Sequence, residues 1–323
     1  MNEVHPSGPA DRQGSVLVVG GGVAGVQAAL DLTALGFKVY LLEKTAAIGG
    51  VMARLDKTFP TNDCSLCILA PKLVEAGRDP NIEILTKSEL LELRGEAGNF
   101  TARLRRKSRF VDEETCTGCG LCTIYCLKQI GDDFNENLSL VHAIHIDYAQ
   151  AVPASYHIDP QACLQLNHDT CGLCAVVCRA GAIRFGGQEE ILDIRVGSVV
   201  LAPGFGRVDS EVLRQYGWGR FRDVISAFEH ERLMCASGPT GGEILRPSDG
   251  RHPKKIAFLQ CIGSRDERCG NNYCSSVCCM YAIKQATLAR EHDPAAEITL
   301  FFLDIRTHGK GFDAARERAT RAN

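Results

Sequence analysis

The chain has 323 residues, enough for two or three domains and a sizeable core. Its net charge of −3 gives no general affinity for nucleic acid or for a membrane surface, and no apolar run is long enough to span a bilayer. Sixteen cysteines exclude a secreted disulfide framework of the usual kind and point to metal or redox chemistry in a reducing, cytoplasmic compartment.

Residues 1–14 are polar, lack the apolar stretch of a signal peptide and read as a disordered tail. The segment 15–25, SVLVVGGGVAG, then runs from a buried strand into a helix. Gly20, Gly22 and Gly25 form G-x-G-x-x-G. The first allows the tight turn, the second lets a pyrophosphate approach the backbone, and the third permits close helix–strand packing. Gly22, Val23, Ala24 and Gly25 open the helix, whose N–H groups and dipole favour phosphate. The helix runs to about Leu35, Gly36 turns the chain, and residues 38–43 form a second strand. Glu43 ends it, where a carboxylate binds a ribose hydroxyl, with Lys44 next to it. A glycine pair, Gly49 and Gly50, follows closely, and a later strand ends at Ala202-Pro203-Gly204. Both features resemble two-dinucleotide-binding flavoproteins, which favours FAD over NAD here.

Residues 82–87 and 89–93 read as strand segments, and 100–105 alternates as a half-buried strand should. The basic run 103–109 suits a solvated hairpin face, or a dock for an acidic electron carrier. Before it, Cys64 and Cys67 form a lone C-x2-C, too few ligands for a cube. Packing or no redox role is the favoured reading, with a redox dithiol or a flavin contact as alternatives.

Cysteine spacing changes the chemistry at residue 116. Cys116, Cys119, Cys122 and Cys126 have the C-x2-C-x2-C-x3-C spacing of a bacterial ferredoxin. Cys171, Cys174 and Cys178 repeat its second half, with Cys163 upstream. Gly118, Gly120 and Gly172 let backbone N–H groups face the sulfurs. Because the fourth cysteine of each run ligates the other cluster, Cys116, Cys119, Cys122 and Cys178 would hold one [4Fe–4S] cube. Cys163, Cys171, Cys174 and Cys126 would hold the second. Zinc or disulfides are the alternatives. The usual proline after the fourth cysteine is Leu127 in one run and Arg179 in the other. Strands at 190–196 and 199–202 resume the earlier β-region, so the cluster block reads as an insertion.

Ser226 and Glu229 make a capping box for a helix to about Ala236, in which Cys235 is a buried small hydrophobe. Residues 238–242 and 247–253 are loop. A buried strand at 255–260, a helix at about 275–291 and a strand at 298–303 then form a βαβ unit. A nicotinamide site needs glycines at that first turn. This turn instead carries Cys261, Cys274, Cys278 and Cys279, read as a third [4Fe–4S] site with two thiols at a helix start. Cys269 is spare.

Together these residues resemble HdrA, the flavin and iron–sulfur component of heterodisulfide reductase. The marks are 57–72 (KTFPTNDCSLCILAPK), the two ferredoxin runs, 236–242 (ASGPTGG), 260–267 (QCIGSRDE) and 273–280 (YCSSVCCM). The resemblance implies an α/β fold with three domains. Residues 15–109 and 188–250 form a Rossmann-like FAD-binding domain of the two-dinucleotide-binding flavoprotein type. Residues 110–187 form an inserted two-cluster ferredoxin-like α+β domain, and 251–323 a partial second Rossmann-like βαβ domain bearing the third cluster.

By the same resemblance the flavin is the redox centre, with no catalytic side chain. It passes or bifurcates electrons between a donor, low-potential ferredoxin and a disulfide reduced on partner subunits. Implied partners are heterodisulfide reductase B- and C-like subunits, a hydrogenase or formate dehydrogenase donor subunit, ferredoxin and a second copy of the chain. Family members extend well beyond residue 323, so the chain reads as a truncated form whose turnover alone is in doubt. The alternative function is an iron–sulfur redox-sensing or assembly module without flavin turnover.

Overall fold

The computed structural model describes residues 12–321. Residues 1–11 of the expected tail lie outside the described residues. The rest of that tail is tied down: Gln13 N–H donates to the Gly98 carbonyl at 2.9 Å, and Lys38 N–H to the Gly14 carbonyl at 3.3 Å. Among the described residues no helix is long and apolar enough to cross a membrane. The chain divides into two compact units. One holds the residues up to Ala53 with Ile68–Phe134 and Leu140–Gly204. The other holds Arg54–Cys67, Asn135–Ser139 and the chain from Phe205 onward.

The first unit begins with β1 (Ser15–Val19), α1 (Val23–Ala34) and β2 (Lys38–Leu42), followed by α2 (Ser65–Arg78) and β3 (Ile82–Leu85). β-Branched and leucine side chains make β1 and β2 near-continuous apolar runs, as a strand covered on both faces requires. The parallel sheet has the order β11–β1–β2–β3, with β11 spanning Ser198–Leu201. Val18 pairs with Leu41 on one side and Val200 on the other. Buried Val18, Val26, Leu41, Leu69 and Leu73 join the helices to this sheet.

A second, antiparallel sheet of order β10–β5–β4 comprises β4 (Ser88–Glu96), β5 (Asn99–Arg106) and β10 (Glu190–Val196). Its Ala102, Leu104 and Val196 pack on Leu17, Leu42 and Leu85 of the parallel sheet. The basic run lies largely on a solvated hairpin face. Arg105 and Lys107 pair with Glu89 at 2.6 and 2.9 Å, and Arg103 lies 3.9 Å from Asp193. Arg109 departs from that expectation. It is buried, paired with Glu113 at 2.6 Å, and donates to carbonyls of Ala46 and Ser155.

Between β5 and β10 run short elements: α3 (Leu121–Ile124), β6 (Gln129–Gly131), β7 (Leu140–His142), β8 (Ile144–His145), β9 (His157–Ile158), α4 (Leu164–His168) and α5 (Leu173–Val177). Pairs β6–β7 and β8–β9 are antiparallel. Too short for a conventional core, this segment gathers six of its cysteines into one.

In the second unit α6 (Ser210–Arg214) precedes α7 (Ala227–Met234), which opens on the expected capping box of Ser226 and Glu229. Next come β12 (Lys255–Leu259), α8 (Cys278–His292), the parallel partner β13 (Glu297–Phe301) and α9 (Phe312–Arg321). Two expectations are corrected. The helix starts at Cys278, three residues later than the expected start. The strand is not buried: β12 alternates partly buried and exposed residues, because α8 covers one face of a two-stranded sheet and Leu259 lies on the other. Glu231 and Lys284, each with a side chain 2% exposed, form a buried ion pair. Glu231 also accepts from Gln285 at 2.8 Å and from Asp56 N–H at 2.9 Å. A buried pair satisfied this fully is costly to break from one side, about 3–5 kcal/mol.

Candidate flavin loop and thiol clusters

The glycine loop sits where β1 meets α1, at the carboxyl end of the parallel sheet. Its three fingerprint glycines differ in what surrounds them. A Cβ on Gly20 would stand 2.1 Å from the Ala202 carbonyl oxygen, and one on Gly25 would stand 1.8 Å from that of Gly20. These two exist for packing. A Cβ on Gly22 would meet nothing nearer than Gly50 Cα at 4.0 Å. Room is therefore kept over Gly22, at the N-cap of a 12-residue helix with no side-chain cap. Val23 and Ala24 are exposed there, and their orphan N–H groups suit an anionic ligand.

Gly49 and Gly50 pack on this loop. Gly49 N–H donates to the Gly21 carbonyl at 2.7 Å, and a Cβ on Gly50 would lie 2.8 Å from Gly22 Cα. Glu43 is buried at the end of β2. Its carboxylate accepts from Gly21 N–H at 2.8 Å and from the N–H and hydroxyl of Thr45, both at 2.9 Å. A carboxylate has about four acceptor positions, so one remains. Lys44 is exposed beside it. Ala202 closes the loop from β11, and Gly204 beyond it has φ +74°.

The structure brings the two ferredoxin runs together. Cys126, Cys163, Cys171 and Cys174 line one cavity, with Leu127 and Gly172. That set draws Cys126 from the first run and the other three from the second. Cys116, Cys122, Cys126, Cys163, Cys174 and Cys178 share one apolar core, whereas Cys119 is exposed. Gly118, Gly120 and Gly172 have φ of +67°, +81° and +110°, the left-handed region that lets the loops fold back around the thiols.

Burial pushes the Cys122 thiol up to about 11 and that of Cys174 to about 12, with neighbouring thiols adding to each shift. At exposed Cys119 the backbone N–H of Leu121 and the Thr117 side chain pull the thiol down instead. Buried thiols with no nearby cation ionise readily only when a metal supplies the charge. A tetrahedral zinc would hold its thiolates about 3.8 Å apart. Among the described residues the one group of three or more donors within 4.8 Å of one another is His145, Asp147 and His157.

That histidine–aspartate group was not anticipated from the sequence. His157 Nε2 lies 2.7 Å from Asp147 Oδ1, and His145 Nδ1 lies 2.9 Å from the His142 carbonyl oxygen. Burial pushes His157 down to about 4. For Asp147 burial acts upward, but the hydrogen bond and charges of His157, with those of His145 and Arg109, hold it below the usual range. Of these partners the Arg109 guanidinium is the permanent cation. His145-x-Asp147 is the one local trace of the group in the sequence.

In the second unit, Cys278 and Cys279 form the first turn of α8 and are buried. Cys261, in the left-handed region at φ +62°, adds its charge to Cys279 together with Cys278. Cys274 lies beside Arg306. Cys269 is hydrogen-bonded with Asp266, and buried Cys235 has its Sγ 3.2 Å from Ser237 Oγ. Of the favoured reading of Cys64 and Cys67, packing or no redox role, the packing part is overturned. Both are exposed and paired with each other, flanking buried Ser65 at the start of α2.

Residues 15–63 match the family described as FAD dependent oxidoreductase, and the α/β sheet with its glycine loop is a Rossmann-like FAD-binding fold. Over 305 residues the chain is 46% identical to the A-type iron–sulfur component of CoB–CoM heterodisulfide reductase from Methanocaldococcus jannaschii, covering 94% of this chain and 46% of that one. It is 47% identical over 303 residues to the A-type component of the H(2):CoB-CoM heterodisulfide,ferredoxin reductase from Methanothermobacter marburgensis, covering 94% and 45%. The chain belongs to the HdrA family of heterodisulfide reductase, and it spans about half the length of the curated relatives it matches. Among solved structures, L-proline dehydrogenase from P. horikoshii overlays with a TM-score of 0.37 at 14% identity, over 92% of this chain and 37% of that one, too loosely to bear on fold or function.

Proposed function

We propose that this chain is a FAD- and [4Fe–4S]-dependent electron-transfer part of a heterodisulfide-reductase-type complex, an oxidoreductase acting on sulfur groups. One observation carries the reading. A glycine loop with room kept over Gly22 and a cavity lined by Cys126, Cys163, Cys171 and Cys174 occur in the same compact unit. When bound, FAD would exchange electrons in pairs or singly, and iron–sulfur cubes would relay them singly.

The residues divide the work. Gly20 and Gly25 shape the loop; Gly22, Val23 and Ala24 receive the pyrophosphate; Glu43 offers its remaining acceptor to a ribose hydroxyl. Gly49, Gly50, Ala202 and Gly204 line the approach. Cys116, Cys119, Cys122 and Cys178 hold one cube, in a ferredoxin-like domain inserted between β5 and β10. Cys126, Cys163, Cys171 and Cys174 hold the next, and Cys261, Cys274, Cys278 and Cys279 hold a third. Relatives named for hydrogen, formate and ferredoxin support a donor of hydrogenase or formate dehydrogenase type and ferredoxin as a second partner; the disulfide would be reduced on B- and C-like partner subunits.

Anaerobic purification followed by flavin, iron and sulfide analysis tests this. Released FAD, with about 12 iron atoms per chain at four per cube, supports it. Iron without flavin would favour the sensing or assembly module, and zinc in place of iron would overturn the cluster assignments.

A further inference from the structure

His145, Asp147 and His157 belong to neither the flavin loop nor any cysteine set. β8 and β9 pair antiparallel with His145 opposite His157, so the strand register brings the two rings together. Their centroids lie 4.3 Å apart, edge to face. Asp147 follows two residues after His145, and its Oδ1 is 2.7 Å from His157 Nε2 and 3.9 Å from His145 Nε2. His145 is preset as a ligand. Its Nδ1 lies 2.9 Å from the His142 carbonyl oxygen, which can only accept, so Nδ1 carries the proton and Nε2 presents a lone pair on the Asp147 side. His157 Nδ1 has no hydrogen-bond partner, so that ring is held through Nε2 alone. Imidazole nitrogen and carboxylate oxygen bind zinc at about 2.0–2.2 Å, which sets tetrahedral donors about 3.4 Å apart. The 2.7 and 3.9 Å separations straddle that value, and a small turn of the Asp147 side chain evens them. The three side chains are between 12% and 20% exposed, enough to admit an ion and a water. Of the two cations that act on this group, Arg109 is already paired with Glu113 at 2.6 Å, and burial together with Arg109 disfavours the charged form of Lys87.

We propose that His145, Asp147 and His157 form a mononuclear site for a first-row divalent cation of the zinc type, bound by both Nε2 atoms and an Asp147 carboxylate oxygen, with water in the fourth position. Two imidazoles and one carboxylate suit such an ion, whereas calcium and magnesium need six or more oxygens. On binding, His157 takes the tautomer with its proton on the unpartnered Nδ1. The ion would staple the base of the loop 146–156. That loop reaches the flavin loop: the Tyr148 hydroxyl donates to the Ile48 carbonyl, and Ile48 N–H donates to the Val152 carbonyl at 2.9 Å. Ile144 and Ile158, next to the two histidines, lie in the core that holds the ferredoxin-type cysteines. The staple therefore works on the segment joining these two regions, as a structural ion without redox chemistry of its own. This proposal is independent of the flavin and cluster assignments.

The test uses anaerobically prepared holoprotein dialysed against Zn²⁺ buffered by a chelator, then analysed for zinc and iron by mass spectrometry. The expected result is about one zinc per chain beside undiminished iron, at one ion per mononuclear site. Zinc-edge X-ray absorption on the same sample needs no variant. Nitrogen and oxygen neighbours at about 2.0–2.1 Å, with the outer scattering pattern of imidazole, support the site; sulfur at about 2.3 Å would put the zinc on cysteines and overturn it. His145→Gln and His157→Gln should each weaken zinc binding by roughly a hundredfold, and Asp147→Asn by roughly tenfold or more. Asp147→Asn keeps an acceptor for His157 and so preserves the local hydrogen bond, which makes it the deciding variant if a histidine change also lowers iron. No zinc retained by the wild-type holoprotein, or equal zinc affinity in wild type and Asp147→Asn, overturns the proposal and leaves the group a hydrogen-bonded staple without an ion.

Discussion

Two turns of this molecule have the same topology and opposite chemistry. β1–α1–β2 and β12–α8–β13 are both parallel β–helix–β units. In the first, Gly20, Gly21 and Gly22 alone connect strand to helix, and the helix start is left bare over open room. In the second, residues 260–277 intervene, and the helix opens on buried Cys278 and Cys279 with Cys261 nearby. A helix start favours negative charge in either case. A three-glycine turn offers it to an incoming phosphate, whereas the long loop fills the same position with thiols.

The largest expected effect comes from disrupting the glycine turn. Gly25→Ala would push a Cβ against the Gly20 carbonyl oxygen, 1.8 Å away, and should cost about 3 kcal/mol or more, read as loss of soluble folded protein or a large fall in the urea midpoint. Gly22→Val separates binding from folding. Its φ of −75° suits any residue and its Cβ meets nothing nearer than Gly50 Cα at 4.0 Å. The variant should fold with its iron intact and release no FAD on denaturation. Retained FAD would show that the room over Gly22 serves something else.

The cysteine turn should respond oppositely. Cys278→Ala with Cys279→Ala should lower iron from about 12 to about 8 atoms per chain, at four per cube, and leave FAD bound. Unchanged iron would make these thiols incidental to metal binding.

The contrast between the turns was legible in the sequence, because glycines and cysteines announce themselves by spacing. So were the Rossmann strands and the capping box at Ser226. Less legible was anything resting on distant partners. Lys284 donates to the Lys57 carbonyl across 227 positions and pairs with Glu231, yet nothing local marks it as buried. Arg109 ends a basic run that reads as surface; Glu113 is only four positions away, but the carbonyls of Ala46 and Ser155 that receive it in the interior lie 63 and 46 positions off. β12 read as buried because its side chains are apolar; sequence cannot tell a strand covered on two faces from one covered on one. Cys64 and Cys67 were misread because exposure is not encoded in a C-x2-C.

Smaller effects should follow pH, and they report on each unit separately. Burial pushes His230, set edge-on to Phe258 in the second unit, down to about 4, with Lys284 acting in the same direction and Glu231 opposing. The unfolded chain takes up this proton near the ordinary value of 6.5, the folded chain only near 4. The stabilisation is therefore present above pH 6.5 and declines as pH falls toward 4, by about 3 kcal/mol over the whole window. His157 should give the first unit the same sign. Urea unfolding between pH 7.5 and 5 should show His230→Phe flattening part of the slope; an unchanged slope would mean that His230 is not the group responsible.

The smallest expected effect is none at all, and it tests the contrast between the turns most severely. If the cysteine turn occupies the position where a nicotinamide dinucleotide needs glycines, this unit should not bind one. The physical reason is space and charge together. A pyrophosphate must lie against bare backbone N–H groups at the helix start. Cys278 and Cys279 take up that first turn of α8, and as thiolates they would repel the phosphates they displaced. NADH or NADPH in excess should therefore leave flavin absorbance unchanged in anaerobic stopped-flow mixing, whereas a reduced low-potential ferredoxin should bleach it. The double Ala variant supplies the control, since removing the thiols without adding glycines should not create a nucleotide site. Rapid bleaching by NADH in the holoprotein, equally fast in the double variant, would show that the second βαβ unit keeps a nicotinamide site despite its cysteines.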